Sequence, residues 1–269
     1  MTNKSAWICI TVFFAFSIVF GIFDLQISKS IYNADVLWVN LYQKYGQIPG
    51  MVIGFSSASL LLRLSKTGSS HKIVNFRGLF FVIALSFAVS IFINVHGQKI
   101  ILDIGFLLAP VTSIICLAGV QIWLWRFSDK TMQKFKFIAE VSLLLVIIAG
   151  VATVWAFKIP WGRWTFRDMI KAGELILYTP WYLPQGFNGH YSFISGHTGM
   201  AFCVLPIVLL FRKNSIHSYI AWILVLLWSF SAALSRVIIG AHFASDVLFA
   251  AGQTLFWFFI LQKLRYKPN

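Results

Sequence analysis

Residues 235–246 read Ser-Arg-Val-Ile-Ile-Gly-Ala-His-Phe-Ala-Ser-Asp and place a polar cluster at the mouth of an otherwise apolar helix. His242 and Asp246 are four residues apart, a spacing that puts two side chains on the same side of a helix. The carboxylate can then hold one imidazole nitrogen while the other stays available as nucleophile or base. Arg236 offers a planar fork of donors to a tetrahedral oxyanion. The alternative is a membrane-surface cluster whose members only satisfy each other.

A second polar element, Ser195-Gly196-His197, stands where a polar loop gives way to an apolar run. Ser195 is therefore predicted to be a helix N-cap, with the following amides pointing into the loop. Unpaired amides and the positive end of a helix favour an anion. His197 in the first turn is expected beside that anion. An ordinary cap followed by a surface histidine is the alternative.

A third polar element follows directly on an apolar segment and holds three cations within ten residues: Lys158, Arg163 and Arg167. Interfacial anchoring, with Trp161 and Trp164 in an aromatic belt, explains the tryptophans. It explains the cations less well, because the predicted topology puts them on the side of the membrane where excess positive charge is not expected.

The composition excludes a soluble domain. Of the 269 residues, 59% are hydrophobic and 11% charged, and the mean hydropathy is +0.80. The net charge is +14, but the basic residues lie in short loops between apolar segments, so no nucleic-acid partner is expected. All three cysteines, Cys9, Cys116 and Cys203, fall inside apolar runs and are expected to pack as small hydrophobes.

Eight apolar runs are candidates to cross a bilayer, with seven spans as the alternative. They are Trp7–Phe23, Ile48–Leu62, Leu79–Ile93, Ile104–Trp125, Phe137–Phe157, Thr198–Phe211, Tyr219–Ile239 and Val247–Leu261. The first run lacks a small-residue cleavage site and is predicted to be retained. The prediction is an all-α, polytopic membrane protein with a single domain, 1–269. It divides into amino-terminal helices, 1–157, and a core, 158–269, that carries the three polar elements.

Lysine and arginine divide unevenly between the two sides of an eight-span chain. The side of the termini holds 14 of the 22, so both termini are predicted to be cytoplasmic. The other side holds Lys29, Lys44, Lys99, Lys158, Arg163, Arg167, Lys171 and Arg236. Five of these eight lie in the third element, in the segment after it or at position 236: Lys158, Arg163, Arg167, Lys171 and Arg236. Membrane topology does not explain their location, so another reason is needed. All three elements are predicted on the extracytoplasmic face, at the ends of the carboxy-terminal helices.

The order Lys…Gly-Arg, Ser-Gly-His and Ser-Arg-x5-His-x3-Asp resembles the type 2 phosphatidic acid phosphatase superfamily. Its membrane members dephosphorylate lipid phosphates and polyprenyl diphosphates. The last motif matches in full, and the resemblance runs from Lys158 to the end of the chain. Ile194 replaces the usual proline of the second motif. In the first motif Thr165 occupies the position of an expected phosphate-binding arginine, for which Arg163 or Arg167 is the candidate substitute. The helices before Lys158 look like an enlarged version of the family's amino-terminal helices, so they are not informative about the chemistry.

The resemblance implies a role for each matched residue. His242 attacks phosphorus to give a phosphohistidine, Asp246 orients its ring, and His197 protonates the leaving oxygen and later activates water. The phosphoryl oxygens are expected to be surrounded by Lys158, Arg163, Ser195, the Gly196 amide and Arg236, with Arg167 as the possible substitute. Such fixed positive charge suits phosphoryl transfer, so neither a metal nor another cofactor is expected.

Three functions remain open at this stage. The first is a lipid phosphatase of the cytoplasmic membrane whose site faces outward and whose partner is a phosphorylated lipid. The second is a phosphotransferase with a polyprenyl diphosphate donor, and the third a transporter or scaffold without catalysis. The segment between Arg167 and Ser195 is predicted to begin as a short interfacial helix, to continue as a Pro/Gly/aromatic loop and to roof the site. His190 in that loop is expected to face water.

Overall fold

A computed structural model of the chain describes residues 3–65, 76–96 and 106–265. Every regular element in these ranges is helical, which confirms the predicted fold class. The α-helices are α1 (Asn3–Ile31), α2 (Leu37–Tyr45), α3 (Ile48–Leu64), α4 (Phe76–His96), α5 (Phe106–Leu124), α6 (Asp129–Leu145), α7 (Thr153–Trp161), α8 (Phe166–Ala172), α9 (Gly196–Phe202), α10 (Ile216–Ile238) and α11 (Ala244–Arg265). A π-helical stretch, Val146–Ala152, joins α6 to α7, and 3₁₀ turns occupy Leu175–Leu177 and Leu205–Leu210.

The length and apolar composition of these helices suit a multi-pass membrane protein. Five stretches are long enough to cross a bilayer, namely Ile10–Ile31, Leu37–Leu64, Asp129–Ala172, Ile216–Ile238 and Ala244–Arg265. Shorter apolar helices occupy Leu79–Ile91, Pro110–Leu124 and Gly196–Leu210. Together they overlap the eight predicted runs. The run Ile104–Trp125 begins outside the described residues, and Lys99, which was counted among the basic residues, also lies outside them. The number of spans and their orientation remain predictions.

The described residues form two compact units. The first combines Met1–Gly46, Ile148–Phe202 and Leu226–Trp257 and contains every predicted site residue. Its aromatic core surrounds Phe249, whose ring centroid lies 5.2 Å from Phe13, 4.5 Å from Trp181 and 5.3 Å from Phe193. These contacts pack α1 against α11 and the segment before α9. Helices α1 and α2 thus share a unit with the motif residues.

The second unit combines Gln47–Ile147, Cys203–Val225 and Phe258–Asn269. Small side chains let α3 approach α4 closely, since a Cβ on Gly54 would lie only 2.9 Å from the Phe87 ring. An ion pair of 2.8 Å joins Arg63 at the end of α3 to Asp129 at the start of α6. This unit is a helical bundle stabilised mainly by apolar packing.

The corner after α7 positions the first motif. Gly162 caps α7 in the left-handed conformation, with φ +58°, which favours glycine. A Cβ there would overlap the Gly186 carbonyl oxygen and lie 2.7 Å from Oδ1 of Asn188. The chain can therefore turn from α7 toward α8 only because this position has no side chain.

Gly162→Ala is expected to lower the melting temperature of the purified protein more than Gly173→Ala does. Gly173 caps α8 with φ +72°, but a Cβ at this position would have no heavy atom of the described residues within 4 Å, so alanine there adds only backbone strain of about 1–2 kcal/mol. Alanine at 162 adds a steric clash of about 1–3 kcal/mol to the same strain. Thermal unfolding in detergent measures both variants, and equal shifts would contradict the close approach of residues 186–188.

Candidate active site

His242 lies in the turn between α10 and α11, one turn before Asp246. Gly240, with φ +67°, ends α10, and the backbone amide of His242 donates to the Arg236 carbonyl oxygen at 3.1 Å. Nδ1 of His242 lies 3.6 Å from Oδ2 of Asp246. The predicted pairing of these side chains is therefore present as a close approach, slightly longer than a hydrogen bond.

Asp246 is fully buried in the first turn of α11 and accepts several hydrogen bonds. Oδ1 accepts from Nη1 of Arg163 at 2.5 Å, and Oδ2 accepts from Oγ of Ser192 at 2.5 Å and from the amide of Phe243 at 2.9 Å. These bonds fix the carboxylate in one orientation beside His242.

Burial governs the protonation of His242. Desolvation lowers the pKa of His242 from 6.5 to about 4, although the neighbouring Asp246 acts in the opposite direction. The side chain of His242 is only 6% exposed. The neutral imidazole, which is the nucleophilic form, is thus the stable one near neutral pH.

Arg163 lies behind the pair, and the structure does not bring it to the cavity described below. Its Nη2 donates to Asp24 at 3.0 Å, its Nη1 donates to Ser245 and Asp246, and its Nε donates to the Thr179 carbonyl oxygen at 2.8 Å. The guanidinium is 1% exposed and lies 4.1 Å from the centroid of the Phe243 ring. Because all three nitrogens have protein partners, Arg163 is a poor candidate for a phosphate ligand.

The second motif begins α9 as predicted. Oγ of Ser195 accepts from the Thr198 amide at 3.3 Å, which confirms the predicted N-cap. The Ser195 amide donates to the Asp246 carbonyl oxygen at 3.2 Å, so the second and third motifs are bonded through the backbone. A Cβ on Gly196 would lie 3.9 Å from Cε of Lys158, which brings the second motif beside the first. The backbone of Gln43 in α2 forms a hydrogen bond with the His197 side chain.

A cavity of about 300 Å³ collects the polar groups of all three motifs. Five of the predicted residues line it: Lys158, Arg167, His197, Arg236 and His242. Arg236 is 4% exposed, and within the described part of the chain its Nε and Nη1 have no hydrogen-bond partner. A buried guanidinium with unpaired donors is costly unless an anion accepts from it. This wall of the cavity is therefore suited to a phosphate-like group.

Thr165, which replaces the expected arginine of the first motif, caps α8. Its Oγ1 accepts from the Asp168 amide at 3.2 Å and donates to Oδ2 of Asp168 at 2.6 Å. Arg167 then lies in the first turn of α8, and its amide donates to the Gly240 carbonyl oxygen at 2.9 Å. This bond joins the first motif to the turn that carries His242 and brings the Arg167 side chain to the cavity.

The cavity has six further lining residues that were not predicted as site residues. They are Thr165, Asp168, Gly189, His190, Tyr191 and Ala241. His190 was expected to face water, but its ring stacks on Trp164 with centroids 3.5 Å apart. Because Trp164 and His190 are 26 positions apart in the sequence, no local sequence pattern predicts their contact.

The segment between Arg167 and Ser195 is bonded to the first motif over much of its length. Nε1 of Trp161 donates to the Trp181 carbonyl oxygen at 2.6 Å, and Nδ2 of Asn188 donates to the Gly162 carbonyl oxygen at 2.6 Å. Nε1 of Trp181 donates in turn to the Ser17 carbonyl oxygen of α1 at 2.9 Å. The predicted short helix is present as α8, and the following loop contributes residues 189–191 to the cavity.

Fold and site together define a helical protein of multi-pass membrane character with a cationic cavity lined by two histidines. The family model of the PAP2 superfamily matches residues 139–268 of the chain. The resemblance inferred from the three motifs is thereby confirmed. That superfamily implies activity of the phosphatase or phosphotransferase type on phosphorylated substrates. The comparisons with curated proteins and with solved structures found no match.

Arg167→Ala is expected to weaken binding of inorganic phosphate about tenfold with little change in melting temperature, because it removes one charge-assisted contact at the cavity. Arg163→Ala is expected to lower the melting temperature strongly, because it leaves buried carboxylates without their cation. Exposed Arg212→Ala is the matched control. Phosphate titration and thermal unfolding separate the two, and the reverse pattern would make Arg163 the phosphate ligand.

A second expectation concerns pH. Above pH 6.5 the imidazole of His242 is neutral in both the folded and the unfolded chain. Because its pKa is about 4 when folded, the unfolded chain takes up a proton first as the pH falls from 6.5 toward 4, and stability is lost by about 3 kcal/mol. His242→Gln should remove that part of the loss. Melting curves between pH 4 and 7 test this, and parallel curves for the two proteins would contradict it.

Proposed function

We propose that the chain is an integral membrane lipid phosphatase that hydrolyses a phosphomonoester or diphosphate through a phosphohistidine on His242. The observation that carries the proposal is the buried guanidinium of Arg236, which lines one cavity with both motif histidines and has two nitrogens without a hydrogen-bond partner in the described residues. A transporter or scaffold has no need of this combination. The match of residues 139–268 to the PAP2 superfamily model adds support.

Three cations line the cavity and suit the charge of a phosphoryl group. They are Lys158, Arg167 and Arg236. None of these three side chains forms a salt bridge within the described residues. Phosphoryl transfer depends on positioning and on neutralising the equatorial oxygens as charge redistributes. Protein cations in place before substrate arrives can supply that field without a metal ion.

The proposed reaction has two steps. Since Nδ1 of His242 lies toward Asp246, Nε2 is the nitrogen for attack on phosphorus. The P–N bond forms while the bond to the lipid oxygen breaks, and His197 donates a proton to that oxygen. His197 then takes a proton from a water molecule that attacks phosphorus, which breaks the P–N bond and releases phosphate. Asp246 offsets the positive charge on the His242 ring in the intermediate.

A lipid substrate and an outward-facing site complete the proposal. The length and apolar composition of the helices support a bilayer location, and the bias of basic residues toward the side of the termini favours a cytoplasmic location for both ends. The cavity then opens on the extracytoplasmic side. A volume of about 300 Å³ holds a phosphorylated head group, so the lipid chains lie outside it.

A phosphotransferase is the second candidate, because an alcohol can resolve a phosphohistidine as water does. The wall formed by Thr165 and Asp168 favours this candidate, since it offers a hydroxyl and a carboxylate beside the cationic wall. An acceptor hydroxyl could donate to the carboxylate. Transfer of labelled phosphate from a polyprenyl diphosphate to an added lipid alcohol, at the expense of phosphate release, distinguishes the two reactions.

The purified protein, given phosphatidic acid or a polyprenyl diphosphate in micelles with EDTA, is expected to release phosphate. His242→Ala should abolish release and the covalent phosphoenzyme, and His197→Ala should slow turnover by about 10²–10⁴-fold because it removes proton transfer. Exposed His217→Ala is the control and should match the wild type. Phosphate release and acid-labile, base-stable labelling of the protein measure these effects. Full activity of either motif variant, or loss of activity in EDTA that a metal restores, would contradict the mechanism.

A further inference from the structure

We propose that Asp24 of α1 is a positioning residue for phosphoryl transfer, acting through Arg163 and Ser245 on the pair formed by His242 and Asp246. The inference rests on the proposed function. Asp24 lies outside the region that matches the superfamily, residues 139–268, and no motif includes it. The amino-terminal helix therefore supplies part of the catalytic arrangement.

The contacts of Asp24 converge on the first turn of α11. Its Oδ1 accepts from the Ser245 amide at 2.9 Å, and its Oδ2 accepts from Oγ of Ser245 and from Nη2 of Arg163 at 3.0 Å. Asp24 itself is fully buried. The Asp24 carboxylate thus fixes the backbone and the side chain of Ser245, which directly precedes Asp246 in the sequence.

Charge gives Asp24 a second effect. Arg163 carries one positive charge and contacts two carboxylates, Asp24 and Asp246. The buried triad therefore retains one net negative charge beside His242, which can offset the positive charge that develops on the ring. If Asp24 were neutral, Arg163 would balance Asp246 alone and this offset would be lost. Since interactions between charges are strong in a poorly solvated interior, the change should slow the chemical step.

Close packing fixes α1 in this position. A Cβ on Gly252 would overlap the Phe13 ring, so α11 and α1 approach each other closely. A Cβ on Gly21, one turn before Asp24, would lie 2.9 Å from Nε1 of Trp181. These close contacts of α1 with α11 and with Trp181 fix the helix that carries Asp24.

The test measures kcat and KM for phosphatidic acid in micelles, affinity for inorganic phosphate and melting temperature, using full-length protein. Asp24→Asn keeps the size of the side chain and removes its charge. We expect kcat per folded molecule to fall about tenfold or more, with KM and phosphate affinity within about twofold of the wild type, because Lys158, Arg167 and Arg236 are untouched. Ser28→Ala is the matched control, since Ser28 is also fully buried on α1 but has no hydrogen-bond partner for its Oγ in the described structure, and it should leave kcat unchanged.

Ser245→Ala is the second variant, in case Asp24→Asn fails to fold. It keeps every charge and removes one donor to Asp24, so kcat should fall several-fold with KM unchanged. A wild-type kcat per folded molecule in Asp24→Asn would overturn the inference, as would a parallel loss of phosphate affinity, which indicates general distortion. If only Ser245→Ala folds, a wild-type kcat in that variant overturns it. If the wild type releases no phosphate from any lipid tested, the proposed function fails and the inference fails with it. If the wild type is active and Asp24→Asn is equally active, only the inference fails.

Discussion

The guanidinium of Arg163 lies between two buried carboxylates, and the rest of the site depends on this interaction. It joins Asp24 on α1 to Asp246 on α11, while its Nε donates to the loop that follows α8. Breaking such a buried set by removing one member leaves uncompensated charge, which typically costs about 3–5 kcal/mol. The geometry of His242 therefore follows from ionic contacts made behind the cavity and not within it.

Two buried arginines of the first unit differ in their hydrogen-bond partners, and this difference distinguishes a structural arginine from a candidate ligand of the substrate. Arg163 and Arg236 are both hidden from solvent, but Arg163 has protein partners on every nitrogen and Arg236 has two nitrogens without one among the described residues. The first guanidinium stabilises the fold. We propose that the second, together with Lys158 and Arg167, binds an anion in the cavity.

Local patterns in the sequence predicted those features of the structure that depend on residues close together in the chain. The helical class, the N-cap at Ser195 and the approach of His242 to Asp246 all follow from residues within a few positions of each other. The structural role of Arg163 was not predictable in this way, because its partner Asp24 is 139 residues distant in the sequence. A carboxylate within an apolar helix is itself a signal, since burial of a charge requires a partner. His190 escaped prediction for a similar reason, as its neighbour Trp164 is remote in sequence.

The most direct test of the account is an experimental structure of the protein with orthovanadate, which adopts the geometry of a phosphoryl group under attack. The account predicts vanadium within bonding distance of Nε2 of His242, vanadate oxygens directed toward Lys158, Arg167 and Arg236, and Arg163 still between its two carboxylates. Vanadate held by Arg163, or bound without contact to His242, would contradict it.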